Sequence, residues 1–96
     1  LEDSEKKSIQ SVLYKNIGWA RLEQNRDQDA EKYFKKAIIL DSKQAAPHCL
    51  LAQVWQNQED DTKALISWKN CRHAESRGLP EVQVWQADAL DSLNEQ

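Results

Sequence analysis

Two stretches of this chain are written in one register. Sliding the sequence by 34 residues places Gln24 on Gln58, Asp27 on Asp61, Ala30 on Ala64, Lys35 on Lys69 and Ser42 on Ser76. Other positions exchange residues of like size or character: Ile17 with Leu51, Gly18 with Ala52, Phe34 with Trp68, Ala37 with Cys71 and Asp41 with Glu75. A fixed period of this length marks stacked supersecondary units, each of which needs its neighbour to bury an apolar face.

Within each unit the apolar spacing is helical. Ile9, Leu13, Ile17 and Ala20 recur every three or four residues and predict the core stripe of a helix over residues 4–24. Asn25-Arg26-Asp27 breaks the pattern, with Asp27 expected to cap a second helix whose stripe is Ala30, Phe34, Ala37 and Ile38. A third helix carries Leu50, Leu51, Val54 and Trp55, with Pro47 tolerated in its first turn. Asp60 or Asp61 caps a fourth, with Ala64, Leu65, Trp68 and Cys71 inward. Gly78 provides a left-handed stop, and Leu79-Pro80-Glu81 starts a fifth helix bearing Val82, Trp85, Ala89 and Leu93. Two glycines and two prolines in 96 residues are too few for the turns of a sandwich or barrel. The fold class expected is all-α: antiparallel helix-turn-helix repeats stacked as a short right-handed α-solenoid of about five helices. The chain forms one domain, with repeat 1 at 4–42, repeat 2 at 43–78 and a capping helix at 79–94. It holds no methionine and opens on Leu1, so it is read as a fragment of a longer protein.

The units resemble the tetratricopeptide repeat, a 34-residue helix-turn-helix family. The first supplies its pattern as Tyr14, Ile17, Gly18, Ala30, Phe34 and Ala37, and the second as His48, Leu51, Ala52, Ala64, Trp68 and Cys71. The match runs from about Ser11 to Ser76. It departs at Arg21, where the second unit has the aromatic Trp55, and at Ser42 and Ser76, where the family closes each unit with proline. In this pattern Gly18, Ala30, Ala52 and Ala64 are small so that helices approach, while Phe34 and Trp68 wedge beside them. Gln86 takes the place of Gly18 and Ala52 in the fifth helix, as fits an array that ends there.

The resemblance implies a concave groove that binds a peptide or partner helix. Its partner-facing places are Val12, Lys15, Trp19 and Leu22 in the first unit and Cys49, Gln53 and Gln56 in the second, with Gln83, Ala87 and Leu90 at the far end. Lys15 matches the first lysine of the subgroup that grips chaperone-tail carboxylates. Trp19 and Leu50 replace that clamp's asparagines, which argues against such ligands. Trp19 lies off the predicted core stripe, and display in the groove and packing against neighbours stand as equal alternatives for it.

The remaining chemistry is sparse. A formal charge of −3 lacks the basic footprint of a nucleic-acid binder, and no apolar run approaches the ~20 residues of a membrane span. His48 and His73 pair with no nucleophile in any recognised local pattern, and His48 fills a packing place. Cys71 and His73 lack metal-ligand spacing, and two glycines cannot build a phosphate loop. No catalytic residue, metal or cofactor is expected. Lys32, Lys35, Lys36 and the run Glu59-Asp60-Asp61 read as solvated surface and caps. Two cysteines, Cys49 and Cys71, cannot supply a disulfide framework, and no secretory signal is seen, so a cytoplasmic setting is the default. The function expected is a non-catalytic protein-protein interaction module, without nucleic-acid or membrane partners. The alternative is a structural spacer or self-association segment of a larger multidomain enzyme or signalling ATPase.

Overall fold

The computed structural model describes residues 2–76 and 79–94. They form five α-helices: α1 (Asp3–Glu23), α2 (Asp27–Leu40), α3 (Ala45–Asn57), α4 (Asp61–His73) and α5 (Pro80–Asn94). α1 packs on α2 and α3 on α4 as hairpins, α2 joins the hairpins by packing on α3, and α5 lies against α4 and the edge of α3. No helix among the described residues is long and apolar enough to cross a membrane. The left-handed stop expected at Gly78 lies outside the described residues.

The 34-residue register is repeated in backbone hydrogen bonds. Asn25 and Glu59, one period apart, both take the left-handed conformation, at φ 60° and 58°. Around the first, Arg26 N–H donates to Arg21 O and Asn25 N–H to Leu22 O; around the second, Asp60 N–H donates to Trp55 O and Glu59 N–H to Gln56 O. This double bond pattern satisfies the last carbonyls of a helix and turns the chain back on itself. The caps that follow differ. Asp60 accepts from Lys63 N–H at 3.2 Å, whereas Asp27 is already the first residue of α2 and caps nothing, and Arg26 at the N-cap makes no side-chain bond to the helix. A second tie joins the hairpins: Ala45 N–H donates to Glu75 O and Glu75 N–H to Lys43 O, each at 2.9 Å, which sets the two unit-closing segments side by side.

Close packing within the first hairpin depends on Gly18. A Cβ there would lie 2.6 Å and 2.7 Å from two ring carbons of Phe34, which is itself fully buried. Ala30, Ala37, Ala52 and Ala64 are likewise buried, and Trp68 fills the second unit's aromatic place. α3 is the hub, its residues Ala45 to Ala52 being buried without interruption. His48 is among them. Its Nε2 lies 2.9 Å from the Ser42 carbonyl, which can only accept, so that nitrogen carries the proton.

The stripe predicted for α1 faces the wrong way. Ile9, Leu13 and Ile17 are 50%, 56% and 38% exposed, and Ala20 is exposed too. The buried face is Ser11, Lys15 and Gly18, continued by the half-buried Leu22. Ser11 donates to Ala37 O at 2.7 Å and accepts from Gln44 Nε2 at 3.1 Å, so this face is closed by polar contacts. One period on, Pro47, Leu51 and Val54 take the places of Leu13, Ile17 and Ala20 and are buried in a helix that α2 covers. Among the described residues no helix covers that side of α1. Equivalent places thus differ in burial because of where their unit stands in the stack.

Leu51→Ala therefore costs about 2–4 kcal/mol of unfolding free energy, and Leu13→Ala at the equivalent place less than about 0.5 kcal/mol, as measured by urea titration. Comparable losses at both sites would mean that α1 is covered in solution. Glu59→Gly relieves an L-residue held at positive φ and raises stability by up to about 1 kcal/mol in the same assay; a loss would show that the turn relaxes away from this conformation.

Candidate functional site

The expected groove places fall into three groups. Val12 and Gln56 are exposed, Trp19, Leu22 and Gln53 are half-buried, and Lys15 and Cys49 are buried. Cys49 offers nothing to a groove. Its sulfur is bonded to Cys71, across a Cα separation of 4.7 Å, and both residues are fully buried. The two cysteines that could not supply a disulfide framework thus form a single bridge. Residues 22 apart in sequence meet because they face one another across the α3–α4 hairpin, and closing such a loop is worth about 3 kcal/mol in the chain-entropy account. Periodicity carried part of that signal: Cys71 sits on the α4 stripe and Cys49 precedes the buried Leu50-Leu51-Ala52 run.

Trp19 is packed. Its ring meets Trp85 of α5 edge to face, with centroids 5.1 Å apart and an interplanar angle of 71°. Such pairs add about 0.5–1.5 kcal/mol beyond their area burial. The contact spans the edge of α3 and ties the first helix of the chain to the last. Lys15 Nζ lies 5.8 Å from the centre of the Trp19 ring. Burial of the ammonium pushes its pKa below the ordinary 10.5, and the attraction of Glu81 on α5 partly opposes that shift.

Beside the tryptophan pair, α3 and α5 leave an open crevice of about 500 Å³. Gln53 and Gln56 line one wall, Trp85, Asp88 and Asp91 the other, and Trp68 of α4 also contributes. α5 thus turns a different face to the crevice from the one expected, and Gln83, Ala87 and Leu90 are exposed outside it. Gln86 explains part of this placement. Its side-chain amide donates to Cys71 O and Ala74 O at 2.9 and 3.0 Å, so it caps the carbonyl end of α4 and holds α5 against it. Trp68 is 3% exposed, and its Nε1 is buried with no acceptor. An unmade bond of this kind costs about 1–3 kcal/mol.

The lysines read as free surface are exposed, but two of them cover aromatic rings. Lys35 and Lys63 Nζ lie 5.4 and 4.7 Å from the Trp55 ring centroid, and Lys36 lies near Tyr14 and Tyr33, which stack at 6.1 Å. These contacts belong to the outer surface of the hairpins and not to the crevice.

Burial of Lys15 makes stability depend on alkaline pH. A lysine whose folded pKa lies below its unfolded value weakens the fold while charged, and stability recovers as pH rises through the folded pKa towards 10.5. Lys15→Met removes this dependence. The variant is expected to be the more stable at pH 7 in thermal unfolding, with the difference shrinking as pH approaches 10.5; a difference that stays constant with pH would show that the ammonium is fully solvated. No protein-family model matches this sequence, and no curated protein matches it either.

Proposed function

We propose that the chain is a non-catalytic protein-interaction module that holds a peptide or partner helix along the face formed by α1, α3 and α5. The observation that carries this reading is the open crevice between α3 and α5, next to the braced pair Trp19 and Trp85. Its walls combine aromatic surface with amides and carboxylates, the mixture that lets a groove anchor side chains while pairing with a ligand's backbone. The 34-residue register, and with it the resemblance to tetratricopeptide repeats, supports the same reading. Of the expected groove places, Gln53 and Gln56 line the crevice, and Trp19 supports it through Trp85. The cytoplasmic setting belongs to this proposal as well, and the Cys49–Cys71 bond is of a kind more frequent in oxidising compartments.

A second reading, self-association, is favoured by the apolar stripe of α1. Ile9, Leu13 and Ile17 form one exposed face, and contiguous apolar surface of this kind marks interaction sites. The two readings separate in one set of measurements. Peptides selected from a random displayed library should lose at least about tenfold in affinity against Gln53→Ala/Gln56→Ala and bind Leu13→Ser as they bind the parent. Unchanged affinity in the double variant sinks the groove. Sedimentation equilibrium showing a dimer that Leu13→Ser abolishes would instead give the interaction to α1.

A further inference from the structure

The stripe left open on α1 has a covered counterpart inside the same chain. Pro47, Leu51 and Val54 are buried in α3, against which α2 packs, whereas Leu13, Ile17 and Ala20 at the equivalent places are exposed. We propose that this face of α1 receives an amphipathic helix of a partner protein, one that carries the apolar pattern of α2 and sets an acidic residue against Arg21. The proposal is independent of the groove, whose walls are α3 and α5. The face is also longer than its counterpart. α1 starts at Asp3, whereas the start of α3 at Ala45 corresponds to Ser11, and Ile9 extends the exposed stripe into the added length.

The contact between α2 and α3 specifies the charge of the occupant. Lys35 of α2 reaches Trp55, its Nζ 5.4 Å from the ring centroid, and Trp55 stands four residues after Leu51 on the same side of α3. Arg21 holds that place in α1, four residues after Ile17, and is half-buried. An ammonium is attracted to the face of an indole and repelled by a guanidinium. A helix lying on α1 as α2 lies on α3 therefore sets like charges together if it keeps a lysine at that place. An aspartate or glutamate removes the clash and offers two acceptor oxygens to the guanidinium fork. Arg21 is available to it: the guanidinium donates to Gln24 at 3.3 Å on the exposed surface, and no ion pair among the described residues engages it. The same chemistry disfavours α2 of a second copy, which brings Lys35 and already buries Phe34 and Ala37 in its own core.

The test titrates two synthetic peptides into the ¹⁵N-labelled protein at low salt, one with the sequence of residues 26–41 and one with Lys35→Glu in that sequence. The Lys35→Glu peptide should move the amide signals of Leu13, Ile17 and Arg21 and bind at least about threefold tighter than the unchanged peptide. Arg21→Glu in the protein should reverse that order, and Arg21→Gln should level it. Leu13→Ser alters an exposed side chain and should weaken both peptides at least about fivefold. Shifts confined to residues outside α1, or an order of affinities that Arg21→Glu leaves unchanged, overturn the proposal. A dimer that Leu13→Ser abolishes and the Lys35→Glu peptide fails to dissociate makes a second copy the occupant and equally refutes it. Both peptides should bind Gln53→Ala/Gln56→Ala as they bind the parent; a loss there would put them in the crevice and give the result to the groove reading.

Discussion

Everything in this structure follows from how closely α1 can lie on α2. Phe34 occupies the space where a side chain at residue 18 would begin, so the first hairpin closes only around glycine. With that hairpin closed, α2 presents its far side to α3, and α3 becomes a helix enclosed by its neighbours. Enclosure of α3 then fixes α4 through the paired cysteines and α5 through the amide of Gln86. The crevice exists because these constraints hold α5 beside α3 without letting it close onto the outer half of that helix. A bulky residue at position 18 would thus disturb the crevice wall through its neighbour Trp19, which packs on Trp85.

The two units solve one packing problem with different chemistry. At the places of Ser11 and Lys15 the second unit has Ala45 and Cys49, all four being buried. The first hairpin therefore closes on a hydroxyl bonded to a main-chain carbonyl and on a desolvated ammonium, and the second on apolar contacts and a disulfide. Polar burial stabilises little on balance, because each group exchanges bonds with water for bonds inside the protein. The first unit consequently depends on the second for much of its stability, as the nearest-neighbour behaviour of stacked repeats requires. Local opening should begin at α1 and spread inward.

How much of this was legible in the sequence depends on whether a feature belongs to the unit or to the stack. Helix boundaries, the turns at Asn25 and Glu59, and the small-large pairs such as Gly18 with Phe34 are properties of the unit, and a period of 34 residues carries them directly. The facing of α1 is a property of the stack. Ile9, Leu13 and Ile17 make a good amphipathic stripe, but which side of a helix is covered depends on what lies next to it, and amphipathicity alone cannot supply that. Comparing the units could have helped, since Ser11, Lys15 and Gly18 align with Ala45, Cys49 and Ala52, whose small size fits a packed seam. The α5 wall was illegible for a similar reason. Asp88 and Asp91 look like ordinary solvated charges until the capping bonds of Gln86 set the rotation of the helix.

The Trp19 and Trp85 contact decides what kind of groove this can be. An aromatic displayed on a free surface would have to be ordered by its ligand, at a cost of about 0.5–1.5 kcal/mol for each side chain immobilised. Here the two indoles order one another before anything binds, and they join α1 to α5, so the crevice wall is fixed by the fold as a whole. On the proposed groove reading, pre-ordering shifts specificity from the ring to the charges and amides around it. The aromatic pair therefore orders the crevice wall, with the exposed Asp88 and Asp91 beside it.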